Sequence, residues 1–271
     1  MNIKKSRRLR NHATVVRFAA WSYVLLAVLY PVFVLSSYQA DKQTNVASFL
    51  EGVVQGTGAG HVWWLLFTLI PLLLVFGAIG FYSAVKPYSF KLAGLSLTFS
   101  VLSSLGFLLG IGRWSTLNWG FGEAFNIYKD KNELLTDLFN FSNEIMGFWF
   151  GHVLAELCLF VAIGLMSVAM FNSKRFPVWL SGFASFIFIL GTVSVFRDFN
   201  ILASSIHSFL NAFMLVPLFF ILLAIGLYRF KGKSKEKPLK RYTKKKKTSK
   251  KKRNFFKKKA VKQKKSNAFK S

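Results

Sequence analysis

The stretch NEIMGFWFGHVLAELCLFVAIGLMSVAM, residues 143–170, decides the class of fold. It is long enough to cross a bilayer, whose hydrocarbon core takes about 20 apolar residues per helix. His152 and Glu156 nevertheless interrupt it. Five further blocks are comparably apolar, so that spans are expected at about 15–36, 62–85, 91–112, 146–171, 178–196 and 206–229. The sequence therefore predicts an all-α polytopic membrane protein with six transmembrane helices.

Charge is segregated from these blocks. From Lys231 to Ser271 there are 21 Lys or Arg against one acid, Glu236, and the other 230 residues carry 16 basic and 9 acidic side chains. A soluble domain intersperses its charges, whereas alternating apolar and polar blocks belong to a multi-pass chain. Three segments follow: a basic amino terminus (1–14), a membrane domain (15–229) and a lysine-rich tail (230–271). The first apolar run is too long for a signal peptide, and Tyr38 would occupy the small-residue position of any cleavage site, so it reads as a retained anchor. The single cysteine, Cys158, excludes an internal disulfide framework.

Orientation follows from Lys and Arg. The turns KPYSFK (86–91) and NSKRFP (172–177) each carry two basic residues and no acid, whereas loop 37–61 has one Lys and two acids, and loop 113–145 three basic residues and five acids. Every basic segment falls on one side, which predicts a cell-membrane protein with both termini cytoplasmic.

The outer loops carry helical patterns of their own. Phe121, Phe125 and Tyr128 recur at helical spacing, as do Leu134, Leu135, Leu138 and Phe139 after Asn132, a candidate N-cap. Short interfacial helices are expected there, lying in the outer headgroup layer, with Trp114 and Trp119 as anchors and a weaker copy at 46–54. GFLLG (106–110) and GFWFG (147–151) are small-xxx-small motifs that let helix backbones approach closely. Ser96, Ser100 and Ser103 line one face of the third span, as interhelical hydroxyls do. AIGFYS (78–83), AIGLMS (162–167) and AIGLYR (224–229) read either as traces of a repeated hairpin or as the common composition of membrane helices.

Glu156 falls near the predicted midplane. An ionised acid at a helix centre costs roughly 2.5–3.5 kcal/mol to insert, so it must stay protonated or find a cation. No Lys or Arg is predicted at that depth. His152 lies one turn away on nearly the same face, and Ser103 and Ser104 stand at matching depth on the third span. The functional reading is a proton- or substrate-binding site. The structural one is a polar tie between spans three and four. A second cluster is expected at the outer mouth: His61, Arg113, Glu144, Arg197, Asp198 and His207. The i,i+4 pair in HVLAE has a spacing that can chelate a metal, although polar residues belong at helix ends in any case. No HExxH, GxSxG, P-loop or GxGxxG occurs, and Cys158 has no basic neighbour in sequence to activate it. No cofactor, metal or catalytic residue is assigned.

The tail has no apolar periodicity with which to build a core, so it is expected to be disordered when free. Lys244, Lys245, Lys246, Lys247, Lys250, Lys251, Lys252, Arg253, Lys257, Lys258 and Lys259 would sit on an anionic inner leaflet, with Phe255 and Phe256 inserting into the interface. In composition this resembles the basic-aromatic segment of MARCKS-type proteins. A ribosome or RNA, as for the tails of YidC-type insertases, and an acidic protein are the rival partners. A homo-oligomer is also left open.

The run 162–196 resembles a family of uncharacterised bacterial six-span proteins, in which span four ends in a short basic turn followed by Pro, an aromatic residue and a Gly-bearing span. Lys174, Arg175, Pro177, Trp179 and Gly182 carry that likeness. It implies architecture and no chemistry. The combined expectation is a non-enzymatic scaffold or accessory protein. A small transporter using Glu156 and a membrane-embedded metal-dependent enzyme are the alternatives.

Overall fold

The computed structural model describes residues 3–41, 50, 59–128, 132–197, 205–207 and 215–229. Every regular element among them is helical. Helix α1 (Ile3–Asp41) is followed by α2 (Ala59–Leu69), which ends at the Ile70–Pro71 turn, and by α3 (Leu72–Ser115). Pro87 lies within α3, and the helix breaks at Ser89 (φ −143°, ψ 59°), dividing α3 into two arms. A proline removes a backbone donor and crowds the preceding turn, which accounts for a bend here. After Thr116 (φ −122°, ψ −81°) come α4 (Leu117–Ile127) and α5 (Asn132–Ser142). Helix α5 passes into a π-helical stretch (Asn143–Leu154) and then α6 (Ala155–Ser173). Helices α7 (Val178–Ser194) and α8 (Leu215–Tyr228) complete the described residues.

Three continuous stretches, His12–Val32, Val62–Ile127 and Glu133–Ser173, are long and apolar enough to cross a membrane, and α7 and α8 are shorter apolar helices. The packing is a closed circuit. Helix α1 packs on α3 and α8, α3 on α6, α6 on α7, and α7 meets α8. Tyr23, Leu159, Phe160, Met166, Phe219 and Phe220 are fully buried at its centre. The Tyr23 ring stacks on Phe220 at 5.4 Å.

Small residues set how closely the helices meet. A Cβ added to Gly110 would lie 2.5 Å from the Gly151 Cα, and one at Gly106 would lie 2.8 Å from the Ala155 Cβ. The two small-xxx-small motifs therefore face each other across α3 and the π-helical stretch. Ser96 donates to the Ala162 carbonyl at 3.3 Å, whereas the buried Ser100 and Ser103 hydroxyls have no hydrogen-bond partner among the described residues. Across α6 and α7, Ser167 bonds the Ser181 carbonyl at 2.6 Å and the Ser185 hydroxyl at 2.7 Å. In the three AIG segments, Gly80 meets Ala19, Gly164 meets Phe188 and Gly226 meets Phe176. Each of these glycines serves a different helix contact, so packing alone gives the shared composition a cause.

The basic segments meet at one end of the bundle. His12 Nε2 lies 2.9 Å from the Ser83 carbonyl, Arg17 lies over the Tyr228 ring at 5.9 Å, and Arg175 lies over Tyr88 at 4.9 Å. At the opposite end Trp64 stacks on Trp114 at 5.4 Å, over a small core of Leu50, Phe125 and Phe139.

Two expectations about that end need correction. Trp114 is not an exposed interface anchor but is buried, because α4 and α5 fold over it. Helix α5 lies where the spacing predicts it, but it is not isolated, since it continues through the π-helical stretch into α6 as one run of 41 residues. Of the expected weaker helix at 46–54, only Leu50 is described.

Candidate functional site

The polar centre is built by the end of the π-helical stretch, which carries His152, by α6, by the turn that ends α7, and by the short helical segment 205–207. Glu156 belongs to the first turn of α6 and is buried. Arg197 extends from the turn after α7 and holds the carboxylate with both guanidinium nitrogens: Nη1 to Oε2 at 2.7 Å and Nη2 to Oε1 at 3.2 Å. His152 Nδ1 lies 2.5 Å from Nη2, and His207 Nδ1 lies 3.4 Å from Nη1. The two rings also flank the acid, at 3.7 Å and 3.8 Å from its oxygens. Tyr30 of α1 is within electrostatic reach of both Glu156 and Arg197.

A guanidinium carries donors only, so a histidine nitrogen that bonds it accepts. The result is one charged pair, bidentate in form, between two histidine rings. Such an arrangement can hold a carboxylate ionised in a buried place. The guanidinium thus lies against Glu156 and both histidines.

The sequence reading put Glu156 near the midplane with no cation at its level. The structure instead pairs it with Arg197. Glu156 neighbours Ala155, which meets Gly106 only nine residues from the end of α3. That is roughly 14 Å along the helix at about 1.5 Å per residue, against roughly 25 Å to the Ser89 break. The acid thus lies towards the tryptophan end, within reach of an arginine in the turn that follows a 17-residue helix. Ser103 and Ser104 do not join it: Ser104 donates to the Pro71 carbonyl at 2.8 Å, and Ser103 is among the unbonded hydroxyls.

The expected outer-mouth cluster is divided. Arg197 and His207 belong with Glu156. Arg113 forms a separate buried node, donating to Asn143 Oδ1 at 2.9 Å and to the Gly110 carbonyl, and lying 5.1 Å from the Trp114 ring. Gly147 makes room for its guanidinium, and Asn118 shares the Asn143 oxygen at 3.3 Å. Glu144 is exposed. The side chain of His61, the whole of Asp198 and the lysine-rich tail lie outside the described residues. Sequence reasoning missed Asn118, Asn143 and Tyr30. For Arg197 the usable signal was the acid itself, which had to stay protonated or find a cation.

An apolar void lies beside Tyr30, Phe107, Leu159 and Phe220. Its volume of about 10 Å³ is room for about one water, and its walls offer nothing polar to hold one. It does not make a passage to the acid.

Residues 18–232 match the family described as a domain of unknown function, DUF4386. The chain belongs to that family. This agrees with the likeness read in residues 162–196, which carried architecture without chemistry. The DUF4386 chain is also 27% identical over 210 residues to a chitin synthase export chaperone of Coccidioides immitis (strain RS), a match covering 77% of this chain and 55% of that protein. The chain spans about half the length of that curated relative. No solved structure matches it.

Proposed function

We propose that this is a six-span membrane protein of the cell membrane, with both termini cytoplasmic, acting as a non-enzymatic accessory or chaperone-type partner of another membrane protein. The observation that carries this reading is the occupancy of Glu156. Both its oxygens are held by Arg197, and both guanidinium nitrogens also face a histidine. A transport carboxylate must exchange its partner for a proton or substrate. This one is buried in a bidentate pair. The pair holds the start of α6 against the end of α7 and segment 205–207, near Tyr30 of α1. The relative named as an export chaperone supports the same class of role. The meeting of the described basic turns at one end supports the orientation. Its polycationic tail would add an anchor on anionic lipid, with RNA or an acidic protein as its other potential partners.

The test is quantitative proteomics of membranes from cells lacking the gene. The expected result is selective loss of one or a few other membrane proteins, restored by the wild-type chain. An unchanged membrane proteome, together with solute or proton flux in vesicles of purified protein that Glu156→Gln abolishes while thermal unfolding shows the variant still folded, would favour the transporter reading instead.

A further inference from the structure

Helix α5 and the start of the π-helical stretch bury one face and leave another exposed. Leu135, Phe139 and Ser142 turn inward, with Phe139 and Ser142 buried. On the outside, Leu134 (56% exposed), Leu138 (42%), Phe141 (64%) and Ile145 (37%) are spaced by four, three and four residues. That is the spacing of the apolar seam of a coiled coil. One position before each of Leu134, Leu138, Phe141 and Ile145 runs a second exposed ridge, Glu133, Asp137, Asn140 and Glu144. Asp137 and Glu144 then occupy the flanking heptad position that sets partner choice by charge.

The seam extends beyond the part of the helix that a bilayer can cover. The helix Glu133–Ser173 has 41 residues, close to 60 Å at about 1.5 Å per residue, whereas the hydrocarbon core is about 30 Å thick. With Ser173 at the basic end, about 20 residues reach only to Val153. Leu134, Leu138 and Phe141 thus project past the lipid as apolar side chains in a polar setting. A second copy of this chain does not suit the surface. In an antiparallel pair its acidic flanks would oppose each other, and in a parallel pair they would face Leu135 and Ser142, which carry no charge.

We propose that this face docks a helix of another protein, one with an apolar heptad seam flanked by Lys or Arg. The proposal rests on the accessory reading for its purpose but not for its geometry. The test places a photo-crosslinking amino acid at Leu138 or Phe141 of the full chain in cells, with thermal unfolding confirming that each variant folds. The expected adduct is a peptide of a different membrane protein carrying an apolar heptad with basic flanks. Asp137→Lys with Glu144→Lys should reduce that adduct at least tenfold, and acidic substitutions of the partner's flanking residues should restore it. Adducts to lipid alone, to a second copy of the chain, or to a protein insensitive to the charge reversal would overturn the proposal. If gene deletion depletes a membrane protein while the probe finds only lipid, the accessory reading survives and this surface does not. A charge-dependent adduct with an unchanged membrane proteome would instead sustain the docking surface and remove the accessory reading.

Discussion

Arg197 holds both carboxylate oxygens of Glu156 across 41 residues of sequence, and in doing so joins the end of α7 to the first turn of α6. Burying two charges costs several kcal/mol each, and their attraction repays this only when the geometry is good. Here it is bidentate, with a histidine beside each of the two guanidinium nitrogens.

Removing one partner should therefore be worse than removing both. Glu156→Gln leaves Arg197 buried beside a neutral amide, and a loss of about 3–5 kcal/mol is expected, as for a broken buried pair. Replacing both residues, Glu156→Leu with Arg197→Met, should recover most of that loss. Unfolding of the purified protein in detergent or bicelles, applied also to Glu156→Leu and to Arg197→Met alone, completes a double-mutant cycle. A double replacement that costs the sum of the two single ones would mean that the pair is not coupled.

The helix contact at Gly110 and Gly151 should tolerate no side chain. Either residue replaced by Leu would push one backbone from the other, at a cost of at least about 1–3 kcal/mol from overpacking. Gly94 lies on the same helix as Gly110, but an added Cβ there meets nothing within 4 Å. Gly94→Ala should be neutral or stabilise by up to about 1 kcal/mol through helix propensity. Thermal unfolding of the two substitutions side by side separates a packing role from a general intolerance of change at glycine.

The small-xxx-small motifs, Ser96 and the basic turns were legible in the sequence because each depends on local composition or on spacing along one helix. The partner of Glu156 was not. It lies on another element, and its depth depends on how far α7 and α3 extend, which hydropathy blocks give only to within a turn or two. Trp114 was misplaced for a related reason. An aromatic residue at a span end suits an interface equally well, until α4 and α5 are known to cover it. The coaxial run of α5 into α6 was hidden because the polar residues Ser142, Asn143 and Glu144 resemble a loop.

Lys174 ends α6 with φ 54°, ψ 17°, a left-handed conformation in which a Cβ crowds the backbone. This penalty is roughly 1–2 kcal/mol for an ordinary side chain, and glycine is the usual residue at such a helix end. Lys174→Gly should relieve part of it, while making the unfolded chain more flexible. A net gain of up to about 1 kcal/mol is expected. The same substitution removes one basic charge, so Lys174→Gln is the control. It loses the charge but keeps the strained Cβ, and it should show no gain in unfolding experiments.

The proposed six-span topology makes a prediction about which positions meet the outside of a cell. Ser89 and Lys174 bound the two basic turns, which approach each other closely enough for Asn172 to bond the Ser89 hydroxyl at 3.5 Å. Gly120 and Asp137 lie on the two helices at the tryptophan end, and both are exposed. The buried Cys158 can first be removed as Cys158→Ser, giving a chain without thiols. In that background Gly120→Cys and Asp137→Cys should react with a membrane-impermeant maleimide on intact cells. Ser89→Cys and Lys174→Cys should react only after the membrane is opened, because positive turns are retained on the cytoplasmic side. Labelling of Ser89→Cys in intact cells while Lys174→Cys stays protected would put the two basic turns on opposite sides, and the six-span arrangement would fail.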